Sequence, residues 1–200
     1  VQQVERFFET ARRAGVTRMN EGRVSLDQYE AGFAATLAGK NLTFMPVAAV
    51  ADVDVKPGLI CKYYEGQWES LPDFSVLAPA KTEIVDSVDL KPSERESNFA
   101  LEFTGYVKVP RDGLYTFCTN SNDGSQLFIG DELVADNGGL HAAETRGGFI
   151  ALKAGLHPIR VSYFQEGGTA TLSVLYEGPG IDRQVIPLSA LSHSGTGAAP

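Results

Sequence analysis

SNFALEFTGYVKVP, residues 97–110, decides the fold. Phe99, Leu101, Phe103, Val107 and Val109 alternate with Ala100, Glu102, Thr104, Tyr106 and Lys108. A period of two is that of a strand with one face in a core. Arg111-Asp112-Gly113 then supplies turn residues, and Tyr115, Phe117 and Thr119 carry the alternation onward. Further β-type runs follow at SQLFIG (125–130), GGFIAL (147–152), HPIRVSYF (157–164) and TLSVLYEG (171–178). Strands at this spacing, parted by turn signals, predict a mainly β fold, an antiparallel β-sandwich or barrel. The composition agrees: Gly 21, Pro 10, Tyr 7 and Phe 11 suit many tight turns and β-branched or aromatic strands.

Upstream the pattern changes. Val4, Phe7, Phe8 and Ala11 recur at helical spacing, and Gly15 offers a C-cap. Ser25 and Gln28 form a capping box ahead of Leu26, Tyr29, Phe33 and Leu37, and Gly39 stops that stripe. A short helical N-terminal segment is expected, either packed on the β body or belonging to a preceding domain. Residues 41–57 read as a connecting strand or linker closed by Pro57-Gly58. The expected division is 1–57 helical segment and linker, 58–192 β-domain, and 193–200 flexible tail. The chain starts at Val1 without a basic-then-apolar leader, and reads as a processed protein or an excised piece.

The net charge of −8, with no cluster of Lys or Arg, argues against nucleic acid as a partner. No apolar run reaches about 18 residues, so no helical membrane span is expected. Cys61 and Cys118 are too few for a disulfide framework or a four-ligand zinc site. They read equally well as one bridge in an oxidising compartment or as two free core thiols. Asn41-Leu42-Thr43 is a glycosylation sequon, meaningful in a eukaryotic secreted protein.

Catalysis has little support. His141, His157 and His193 stand apart, and no nucleophile elbow, zinc-binding helix or phosphate-binding loop is present. No catalytic residue is assigned, although carboxylates from distant loops can pair in a fold. The polar loops are richer. Thr119–Ser125 sets Asn122 and Asp123 between two strands; Asp136-Asn137-Gly138-Gly139 and Gln165-Glu166-Gly167-Gly168 repeat the composition. Such oxygens suit calcium or sugar hydroxyls, and the same residues suit ordinary turns. Three such loops on one β body point to a binding rim. Trp68, in a segment bordered by Gly66 and Glu69, is the aromatic residue least suited to complete burial and is a candidate for sugar stacking.

GLICKYYEG (58–66), FTGYVKVPRDGLYTF (103–117), SNDGSQLFIGDELVADNGGLH (121–141), ALKAGLHPIRVSYFQEGG (151–168) and LYEGPG (175–180) occur in this order. Together they resemble the protective-antigen-type β-domain, named for the anthrax toxin component. The wording is most like versions appended to exported bacterial glycosidases, hexosaminidases among them. The resemblance implies a β-barrel or sandwich that binds glycans or shapes the sugar site of a neighbouring catalytic domain. In lectin-like members two adjacent Asp residues, joined by a cis peptide, hold calcium. The matching positions are Asn122 and Asp123, with Gln165 and the backbone of Gly167 as further metal ligands. Asn122 departs from the family pattern and removes one negative charge.

The expected function is therefore a non-catalytic carbohydrate-binding module of a secreted glycoside hydrolase. The expected ligand residues are Asn122, Asp123, Asp136, Asn137, Gln165 and Trp68. The alternative is an interaction module that packs on a neighbouring catalytic domain without binding free sugar. Either implies a periplasmic, cell-surface or extracellular location.

Overall fold

A computed structural model describes residues 46–51 and 53–195. The helices expected in the first forty residues, and the sequon at Asn41, lie outside this range. Twelve strands make up the body: β1 Val55–Pro57, β2 Leu59–Glu65, β3 Lys81–Val85, β4 Phe99–Val109, β5 Gly113–Asn122, β6 Ser125–Ile129, β7 Glu132–Asn137, β8 Glu144–Leu152, β9 Gly155–Gln165, β10 Thr171–Gly178, β11 Ile181–Val185 and β12 Leu191–Ser194.

All pairings between these strands are antiparallel. The larger sheet runs β1-β12-β4-β9-β6-β7, with β2 also on β4 and β3 beyond it; the smaller runs β11-β10-β5-β8. Strand β4 takes β2 along residues 99–104 and β12 at residues 106–107, so both lie along one edge, end to end. Gly105 sits at the junction. A Cβ there would fall 2.3 Å from the Ser192 carbonyl oxygen and 2.7 Å from Leu59 Cδ2, closer than any side chain tolerates.

The core lies between the sheets. Leu101 and Phe103 of β4, Tyr115 and Phe117 of β5, Leu127 of β6, and Val161 and Tyr163 of β9 are fully buried in it. The alternation read in residues 97–110 is what supplies this layer: the odd positions of β4 point inward. A second, smaller apolar cluster covers the other face of the larger sheet, where Tyr64, Ala100 and Phe164 meet Trp68, Leu71, Phe74 and Leu77. The segment after β2, with a 3-10 turn at Phe74–Val76 capped by Asp73, thus lies across the outside of the sandwich.

Of the two readings of the cysteines, the structure takes the second: Cys61 and Cys118 are both free and buried, and no bridge joins them. Cys61 sits in β2 of the larger sheet and Cys118 in β5 of the smaller, so the two strands are not neighbours. Cys61 also joins the inner core, whereas Cys118 lies on the opposite face to its core neighbour Phe117. Burial raises both thiols above their ordinary value, strongly at Cys61, where Glu83 adds to the effect. The tail is ordered further than expected: buried His193 and half-buried Ser194 belong to β12, paired with β1. The linker is structured as well. Val47 and Val50 bridge to Leu152 and Leu156 at the β8–β9 turn, and β1 belongs to the larger sheet.

Candidate functional site

One end of the sandwich is built from the β5–β6 turn, which crosses from the smaller sheet to the larger, the segment after β7 and the segment after β9. Gly124 shapes the turn: a Cβ there would lie 2.4 Å from the Phe164 ring and 2.8 Å from the Gly139 carbonyl oxygen. The chain must pass this close because three segments converge on one point. The Asn122–Asp123 peptide is cis.

Asp123 is the hub. Its carboxylate accepts the backbone N–H of His141 at 3.3 Å on one oxygen, and those of Glu166 at 3.0 Å and Gly167 at 3.4 Å on the other. Its own N–H donates to Gln165 Oε1 at 3.1 Å. One side chain therefore ties all three segments together. Tyr163 donates its hydroxyl to the Asn122 carbonyl and to Gln165 Oε1, and Gln165 Nε2 donates to the Gly167 carbonyl. Burial, reinforced by the Asp123 charge, pushes the Tyr163 hydroxyl far above its ordinary value, so it remains a donor. His141 braces the segment after β7, with Nε2 2.9 Å from the Asn137 carbonyl and Nδ1 2.9 Å from that of Ala142.

Asn122, Asp123, Gln165 and Gly167 are thus brought together. Asn137 lies beneath them, fully buried, donating to Ser121 Oγ and to the Glu144 carbonyl. Asp136 goes elsewhere. Adjacent strand residues face opposite ways, so Asp136 emerges on the outer face of the larger sheet, where Gln126 donates to it at 3.2 Å. Trp68 packs on that same outer face beside Phe164. Its neighbour Gln67 donates to Glu166 at 3.4 Å, which sets this segment beside the tip. Sequence reasoning missed Tyr163 and His141. Tyr163 shares the inward parity of Gln165, a readable signal; nothing local marks His141.

Calcium takes six to eight oxygens, commonly with several carboxylates. Of the four expected ligand residues only Asp123 brings a carboxylate, and its oxygens already accept three N–H groups. Gln165 Oε1 and the Gly167 carbonyl are engaged as well. Asn122 Oδ1 and, beneath it, Asn137 Oδ1 are buried side-chain oxygens with no partner among the described residues. Among the described residues, no three His, Cys, Asp or Glu side chains gather as a metal centre. The donor set as arranged does not fit the ion.

Two antiparallel sheets, closed at one end by a hydrogen-bonded polar tip, define a β-sandwich. A model of the PA14 domain matches residues 55–190, and the chain belongs to that family, in agreement with the resemblance read from its motifs. It is 30% identical over 114 residues to a β-hexosaminidase of Porphyromonas gingivalis; the match takes in 52% of this chain and 14% of that protein, so the chain spans a small part of this relative. An anti-sigma factor domain-containing protein superimposes with a TM-score of 0.62 at 23% identity, over 72% of this chain and 51% of that one. A PA14 sugar-binding domain from an RTX adhesin does so at 0.60 and 20% identity, over 69% of this chain and 99% of that one. Both structural likenesses show the fold.

Proposed function

We propose that this PA14 domain is a non-catalytic carbohydrate-binding module that serves a secreted or cell-surface glycoside hydrolase, and that its tip meets sugar hydroxyls directly rather than through calcium. The observation that carries the reading is the unfilled acceptor of Asn122 beside an Asp123 clasp that draws three loops to one point. A sugar hydroxyl is a small donor that fills such an acceptor without the six-oxygen shell an ion needs. The relation to a β-hexosaminidase and the sugar-binding fold-mate support the same direction. Trp68 beside the tip supplies an aromatic edge for the ring of a bound sugar.

A glycan array on the 200-residue chain tests the reading, with binding expected and a blank array overturning it. The role of the ion is tested by thermal melts with calcium and with chelator. Superimposed curves are expected. A calcium-dependent rise in Tm that Asp123→Ala abolishes would show an ion bound to the folded state. Asp123→Ala should itself cost about 1–3 kcal/mol in either buffer, because it strands buried N–H groups. One observation favours the alternative of an interaction module: the Asp123 carboxylate is already filled by backbone donors. On that reading the array is blank and the destabilisation remains.

A further inference from the structure

The outer face of the larger sheet carries a polar row that strand register alone assembles. Lys62 pairs with Glu102, Glu102 with Ser162, Ser162 with Gln126, and Gln126 with Asp136, crossing five strands from β2 to β7. The row runs into a cleft of about 450 Å³ between the sheet and the Leu71–Ser75 segment. That volume lies within the roughly 300–1,000 Å³ range of small-molecule sites.

The cleft is built rather than incidental. Glu102, Thr104 and Ser162 line it and are 8%, 5% and 3% exposed. Lys62 Nζ stands 3.4 Å from Glu102 Oε2. The Thr104 hydroxyl is buried with no hydrogen-bond partner among the described residues. A buried hydroxyl left without a partner is costly.

We propose that this cleft is a second saccharide subsite, distinct from the tip, which takes one neutral pyranose unit. The chemistry selects the class. Lys62 and Gln126 donate, Glu102 accepts, and Thr104 and Ser162 do both, which matches hydroxyl groups that also do both. An anion would meet Glu102 and Asp131 on the wall, and a cation would meet Lys62 and Arg160. Phe74 gives the cleft one apolar side against which a sugar face can lie. The site stands independently of sugar binding at the tip.

The test is an amide NMR titration of the full chain with N-acetylglucosamine, galactose, glucose and mannose in turn. Shifts are expected at Glu102, Thr104, Gln126 and Ser162 with at least one of them. Amides at Asp123 and at residues 165–167 report the tip separately, so the two readings fail or succeed independently. Thr104→Val supplies a signature that a structural role would not give. It should raise Tm, by removing an unpaired hydroxyl, while weakening cleft binding. Glu102→Gln should weaken it roughly tenfold, as loss of a charged hydrogen bond does. Cleft amides unmoved by all four sugars would overturn the proposal, as would Thr104→Val with undiminished binding.

Discussion

Gly124 shows how a single residue fixes the tip. Three segments meet over it, and the space a methyl group would need is held by the Phe164 ring and the Gly139 backbone. Gly124→Ala should therefore destabilise by about 1–3 kcal/mol, as overpacking does, measured by urea denaturation. Its effect on sugar binding should exceed its effect on the core, because the displaced atoms belong to the clasp. At this scale the sequence was half legible. Asn122, Asp123 and Gln165 were readable as oxygen-bearing loop residues, and they do converge. Asp136 and Asn137 were read as one unit. Strand alternation separates them, because β7 extends through both to Asn137.

Among the elements, β9 does the most. It joins β4 to β6 through the larger sheet, delivers Tyr163 and Gln165 to the tip, and sets Ser162 in the outer cleft. Its first residues carry His157, fully buried, with Nε2 2.7 Å from the Lys153 carbonyl and Nδ1 without a partner among the described residues. Burial holds this ring below the ordinary histidine value of 6.5, against the opposing pull of the backbone bond. The unfolded chain therefore takes up a proton first as the pH falls. Stability should be complete above the ordinary value and decline as the pH falls below it. His157→Gln, which keeps a donor for Lys153, should flatten that slope in melts run across the interval; an unchanged slope would remove His157 as its source. The alternation that revealed β4 and β9 could not reveal which residues of different strands share a row. Register is set by packing of the whole sheet, so the Lys62–Asp136 row was invisible in the sequence.

For the whole molecule, the sandwich was readable because half-buried strands must alternate and turns must use Gly, Asp and Asn. The partnering of strands was not, and the cysteines show the cost: the parity of Cys61 and Cys118 was readable, but their placement in different sheets was not. The pairing of β1 with β12 has a mechanical consequence. Val55 lies opposite Ser194, and Gly195 donates to Asp54, so residues 54 and 195 sit side by side at one end of the pair. Tension applied there opens the pair one rung at a time, like a zipper, whereas strands pulled from opposite ends would resist in shear with every rung at once. With optical-tweezer handles at residues 54 and 195, the first event should be a low-force peeling of β1 from β12; a single high-force rupture would contradict it.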